Sequence, residues 1–152
     1  MKNWLLKTEP ESFSIEDLAS RGNGGEPWNG IRNYQARNFL RQMSPGERVL
    51  IYHSSCAVPG IVGEGVVISE PYPDPDALNP NSTYYDPKSR PDKTRWWVVD
   101  VRYVKHWSKV VSLKVIKQAE ALSDLALLNQ SRLSISPVTD EQWYQLSRLT
   151  NE

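Results

Sequence analysis

Residues 95–103 read Arg-Trp-Trp-Val-Val-Asp-Val-Arg-Tyr, and no other stretch limits the possible folds so strongly. Successive side chains of an extended chain point to opposite faces. Trp97, Val99, Val101 and Tyr103 then share one face, and Trp96, Val98, Asp100 and Arg102 the other. Branched and aromatic residues favour a pleated strand. Such a strand needs partners, because a lone strand or hairpin is marginal in water. Segments 4–7, 48–53 and 58–68 read as those partners, and 133–135 as a last strand. Gly63 and Gly65 fall inside the third of them and predict a bulge or tight curvature.

The helical signals are short. Ser14 precedes Ile-Glu-Asp and predicts an N-cap with Glu16 and Asp17 in the first turn, where the helix dipole favours acids. Residues 34–43 set Phe39, Leu40 and Met43 at helical spacing, which leaves the arginines to face outward. Residues 112–118 and 123–128 read as short helices. Thr139-Asp-Glu-Gln142 is a capping box that opens a final helix. Residues 21–27 read as a flexible glycine-rich loop. Residues 70–94 hold much of the proline with Asn, Asp and Ser, and predict a long irregular loop of the kind that often carries function. There is no internal repeat. The chain, 152 residues long, reads as one domain over 1–152, an α+β mixed β pseudo-barrel flanked by short helices.

Composition removes several classes of function. A formal net charge of zero argues against affinity built from counterion release along many phosphates. Charge is local instead: Arg32, Arg37, Arg41 and Arg48 cluster, opposed nearby by Glu47. The single cysteine, Cys56, allows no internal disulfide. With His53 and His106 it cannot complete a His/Cys zinc site, so neither a structural metal nor a cofactor is expected. No apolar run reaches membrane-spanning length, and the first residues resemble a strand rather than a signal peptide. The expected setting is cytoplasmic, with association to the nucleoid as a variant. Six Trp and seven Tyr stand against two Phe, a bias that suits half-buried pockets and stacking platforms.

Residues 28–38, Trp-Asn-Gly-Ile-Arg-Asn-Tyr-Gln-Ala-Arg-Asn, concentrate directional hydrogen-bonding groups. Arg offers a rigid fork of donors suited to phosphate, and Gly30 lets the backbone approach a ligand. Trp28, between Pro27 and Gly30, reads as a stacking wall, against the plainer reading of a core Trp. Lys7-Thr8-Glu9-Pro10 ends the first strand; Lys7 reads as a cation for phosphate, with Thr8 and Glu9 as polar pocket groups. Tyr84 or Tyr85 would add a second aromatic wall and Tyr52 a floor. The long loop would close over the pocket mouth and order further on binding. His53-Ser54-Ser55-Cys56 invites a nucleophile reading. A strand end splays neighbouring side chains, so His53 reads as a hydrogen-bonding group at the pocket rim and His106 as a surface histidine. The glycines of 60–65 lack the dinucleotide-binding order and read as strand curvature.

With 28–38, the motifs Trp4-Leu-Leu-Lys7-Thr8-Glu9-Pro10, Tyr52-His53-Ser54, Pro59-Gly60-Ile61, Tyr72-Pro73-Asp74-Pro75, Tyr84-Tyr85-Asp86-Pro87, Arg95-Trp96 and Arg132-Leu133-Ser134 resemble the EVE domain family. The resemblance runs from about residue 3 to about residue 146. It implies a PUA-like fold, similar to the YTH domain, and a non-catalytic module that binds nucleic acid with a modified base turned out into a pocket. It favours a 5-methylcytosine-type base in DNA, with RNA as the other substrate. The base pocket it implies is Trp28, Asn29, Gly30, Thr8, Glu9, Tyr52, His53, Ser54, Tyr84 and Tyr85. The phosphate contacts are Lys7, Arg32, Asn33, Arg37, Arg132 and Ser134. A monomer is expected, with any effector a separate protein. A nucleoside- or RNA-modifying enzyme using His53 with Cys56 or a carboxylate, and a small-metabolite binder, remain the alternatives.

Overall fold

In the computed structural model, which describes residues 1–151, six strands form one mixed sheet that curls into a half-barrel. Its order is β2 (Glu26–Pro27), β7 (Asp100–Ser112), β4 (Gly60–Val67), β3 (Arg48–His53), β1 (Asn3–Thr8), β8 (Ile135–Val138). β1 and β3 run parallel, and the other pairs are antiparallel. β5 (Tyr72–Pro73) and β6 (Trp97–Val98) pair separately. Register shifts between β4 and β7 fall at Gly63 and Gly65, as their positions in the sequence predict. A side chain at Gly63 would collide with the carbonyl of Lys105 on the neighbouring strand. Bulges of this kind bend a strand and raise its twist, which is how an open sheet curls.

The period of two along the central strands sorts the core into two layers. Trp4 and Leu6 of β1 and Val49 and Ile51 of β3 enter one cluster, with Trp28, Val99 and Val101. Leu5, Leu50 and Tyr52 enter the other. The first layer is covered by α1 (Ile15–Ser20) and α2 (Tyr34–Leu40), through Ile15, Leu18, Ala36 and Leu40. The second is covered by α3 (Leu113–Gln118), α4 (Ala126–Asn129) and α5 (Asp140–Thr150), through Ile116, Leu127, Trp143 and Leu146. The caps form as their sequences require. Ser14 and Thr139 each close a reciprocal capping box. Buried Glu47 accepts from the Trp4 indole at 2.9 Å, the Ser44 amide at 2.8 Å and the Lys2 amide at 3.0 Å. Burial alone would raise its pKa; these hydrogen bonds overcome that and hold it below the ordinary carboxylate value.

Several boundaries differ from the sequence reading; the helix expected at 123–128, for one, is a single turn at Ala126–Asn129. The strand expected at 95–103 is split: Trp97–Val98 pairs with β5, and β7 continues to Ser112. Its far half, with Lys105, His106 and Lys109, lies largely in solvent and loses the apolar alternation, although β4 still pairs with it. The last strand lies at Ile135–Val138 rather than 133–135, and carries Pro137 on the sheet edge, where a missing donor is tolerated. Residues 21–27, expected as a flexible loop, make a 3-10 turn and the edge strand β2.

Candidate functional site

A cleft of about 590 Å³ opens on the α1 side of the sheet. Three segments make it: the end of β1 with the following turn, the run from Arg21 to Ile31, and the long loop at Tyr84. Ser134 closes one side. Its walls are aromatic. Phe13 meets Trp28 edge-on, with ring centres 6.0 Å apart, and Tyr84 faces them from the loop. Trp28 is only 7% exposed, so it is at once a core residue and a cleft wall. Its amide donates to the Val99 carbonyl at 2.8 Å, which ties the wall to the sheet.

Gly30 has a positive φ of 76°, and a Cβ there would lie 2.6 Å from Cζ of Tyr84. Glycine is therefore required on two grounds, the backbone conformation and the ring that packs on it. Buried Asp74 is the buckle of the long loop. Its Oδ2 accepts from the Gly30 amide at 3.1 Å and from Nη1 of Arg32 at 3.0 Å. Its Oδ1 accepts from the Asp76 amide at 2.9 Å. Arg32 also donates from Nε at 3.1 Å and from Nη2 at 2.7 Å to the Tyr84 carbonyl. The Asn29 amide group donates to Asp76. The start and the middle of the loop are thus fastened to residues 29–32 by the chain's own contacts. The expected aromatic wall is Tyr84, not Tyr85, which is exposed and does not line the cleft.

The polar lining is of mixed sign. Arg21 donates from Nε to Glu26 at 3.1 Å and lies over the Phe13 ring at 5.3 Å. Thr8 donates to the Phe13 carbonyl at 2.6 Å, and the Glu9 carbonyl accepts from the amides of Ser12 and Phe13, which closes the turn. Lys7 donates from Nζ to the Ser131 carbonyl at 2.7 Å. Partial burial lowers its pKa from the ordinary lysine value.

Of the residues expected in a base pocket, Trp28, Asn29, Gly30, Thr8, Glu9 and Tyr84 line this one cleft. Tyr52 does not: it shares a face of β3 with Leu50 and points into the second core layer, 3% exposed. Ser54 continues the β1–β3 ladder by donating its amide to the Thr8 carbonyl at 3.0 Å. His53 lies under α1, where Nε2 accepts from the Ile15 amide at 3.1 Å. That bond needs a neutral ring and occupies the nitrogen that a general base would use. Of the expected phosphate contacts, Lys7 and Ser134 line the cleft. Arg132 is exposed at the surface close by in sequence. Arg32 is a clamp spent on Asp74 and Tyr84 rather than an open phosphate contact. Asn33 is the N-cap of α2, accepting from the Ala36 amide. Arg37 donates to the Arg95 carbonyl and to Asn38.

Phe13, Arg21 and Glu26 line the cleft without having been singled out in the sequence. For Phe13 the signal is present: an apolar residue immediately before the Ser14 cap and five places before Leu18 is the staple pattern.

His53 gives a pH dependence of stability. Burial lowers its pKa below the model-compound value of 6.5; Glu16 opposes this and His106 adds to it. The unfolded chain therefore binds this proton more readily. The stabilisation is complete above the unfolded pKa and is lost as pH falls through the folded one. The thermal midpoint should drop as pH goes below about 6.5. His53→Gln, which keeps an acceptor without titrating, should flatten that drop when both proteins are melted across the same range. An unchanged slope would remove His53 as the cause.

A family model described as the EVE domain matches residues 2–149. The chain belongs to the EVE domain family. Human thymocyte nuclear protein 1 is 40% identical over 93% of this chain and 70% of its own length. The zebrafish (Danio rerio) protein of the same name is 37% identical over 98% of this chain and 72% of its own. Among solved structures, human THYN1 in complex with DNA containing 5-methylcytosine superposes with a TM-score of 0.96 at 37% identity, over 100% of this chain and 99% of that one. A Pseudomonas putida protein superposes with a TM-score of 0.93 at 48% identity, over 97% of this chain and 99% of that one. The EVE domain accounts for the PUA-like half-barrel.

Proposed function

We propose that this EVE domain is a non-catalytic module that binds DNA and holds an extruded base of the 5-methylcytosine type in the cleft between Trp28 and Tyr84. The observation that carries this is the cleft itself. Its volume of about 590 Å³ falls in the range of sites that enclose small molecules, and the rings of Phe13, Trp28 and Tyr84 share its lining with polar groups. Turning a base out of the stack costs a few kcal/mol, and stacking on aromatic side chains returns roughly 1–3 kcal/mol. A buried methyl adds roughly 0.8 kcal/mol. The polar edge of the base needs partners, since an unpaired buried group costs about 1–3 kcal/mol. Thr8, Glu9, Asn29 and Ser134 supply them at the cleft surface. The 5-methylcytosine DNA held by human THYN1, on a fold that superposes throughout, supports the same ligand class here.

Titration of a 15N-labelled chain with an oligonucleotide carrying one central 5-methylcytosine is the test. Amide signals of Thr8, Glu9, Asn29 and Gly30 should move together. Those of the second hollow, between Lys105 and Ser108 on the far half of β7, should stay put. Shifts confined to that hollow would overturn the assignment of the cleft.

A further inference from the structure

The cleft ends at Ile31, and α2 begins three residues later. This helix has no acidic residue in its first turn, and its outer face carries a ladder of rings and guanidinium groups. Tyr34 packs on Trp96, with ring centres 4.9 Å apart and planes 30° apart, yet remains 52% exposed. The Arg37 guanidinium lies 4.9 Å from the Tyr34 ring centre and 6.0 Å from that of Trp96. Those distances make a closed triangle. The three groups therefore sit close together, with about half of Tyr34 still in solvent. One turn on, Arg41 lies over Trp97 at 4.5 Å. Arg41 is exposed, and no carboxylate pairs with Arg37 or Arg41 among the described residues. The nearby carboxylate, Asp86, is occupied by the Trp96 indole at 2.7 Å.

We infer that this face of α2 is a track for the strand that flanks the extruded base, with Arg41 on its phosphates, Tyr34 stacking the neighbouring base, and Arg37, held by the Arg95 carbonyl and Asn38, bracing the Tyr34 ring. Charge and aromatic surface together are what single-stranded nucleic acid selects. A lone arginine cluster would be read as a solvated helix face, and a lone tyrosine as incidental. Here the rings hold the guanidinium groups in place, and the row starts where the cleft stops. Zero net charge on the whole chain is no obstacle, because two or three local phosphate contacts suffice. The inference rests on the cleft taking the base, and its test separates the two.

Arg41→Ala, Tyr34→Ala and Tyr34→Phe should be compared with the wild-type chain by anisotropy, using an 11-nucleotide strand with one central 5-methylcytosine and its unmodified twin. Arg41→Ala should weaken both strands by the same factor and lower the slope of log affinity against log salt by roughly one. Tyr34→Ala should weaken both by about tenfold, within the range for one stacked base, while Tyr34→Phe should bind as wild type. Moving the 5-methylcytosine to either end should make one end-labelled strand insensitive to these substitutions, because it then leaves no chain on the α2 side. Wild-type affinity and an unchanged salt slope in both alanine variants would overturn the track while leaving the cleft reading intact. Equal wild-type affinity for the modified and unmodified strands would instead overturn the cleft reading, and the track with it.

Discussion

Asp74→Ala is expected to lower the unfolding free energy by about 3 kcal/mol, the lower end of what breaking a buried ion pair costs. The Asp74 side chain is fully buried, and its removal leaves Arg32, 23% exposed, without its carboxylate. It also orphans the amides of Gly30 and Asp76. The same change should loosen the cleft, because Arg32 holds the Tyr84 carbonyl. Urea unfolding of the single variants and of the Arg32→Ala, Asp74→Ala pair gives the coupling directly. The double variant should lose clearly less than the sum of the singles. A loss for Asp74→Ala under about 1 kcal/mol, or strict additivity, would show that the buckle is not a unit.

Trp28→Ala should be severe in two separate ways. A buried Trp lost from a core costs about 3–5 kcal/mol, and Trp28 packs in the first core layer at 7% exposure. The residue sits between Pro27 and Gly30, a setting that suggests a wall standing free of the core. The structure corrects this: Trp28 follows an edge strand paired to β7, and it cannot be removed without opening a cavity. Recognition of the modified base should also be lost. Trp28→Phe separates the two effects, since it keeps a ring at the wall and most of the packing. It should fold at ordinary temperature and retain a preference for the methylated base. Retained preference in a folded Trp28→Ala chain would show that the wall lies elsewhere.

The parts of the fold that depend on neighbours in sequence were legible. Ser14 and Thr139 announce their helices through capping boxes, and both form. Gly63 and Gly65 announce the bulges that curl the sheet. Strand parity could also have excluded Tyr52 from the cleft, since it alternates with Ile51 and His53 and shares a face with Leu50. What could not be read is partnership across long separations. Nothing local marks Asp74 as the acceptor for Gly30 and Arg32, or Tyr84 as the ring over Gly30. In the sequence Arg32 reads as a phosphate contact because a guanidinium and a phosphate suit each other. The fold supplies a carboxylate and a carbonyl in the phosphate's place. Likewise β2, only two residues long, carries no periodic signal of its own; its existence follows from the pairing offered by β7.

The claim that the cleft reads a methylated base is tested most directly by one affinity ratio. Two DNA duplexes of identical sequence, differing only in one 5-methyl group on a central cytosine, should be titrated against the wild-type chain at the same salt concentration. Burial of that methyl is worth roughly 0.8 kcal/mol, so the methylated duplex should bind about fourfold tighter or more. Equal dissociation constants, at any salt concentration where binding is measurable, would contradict the account.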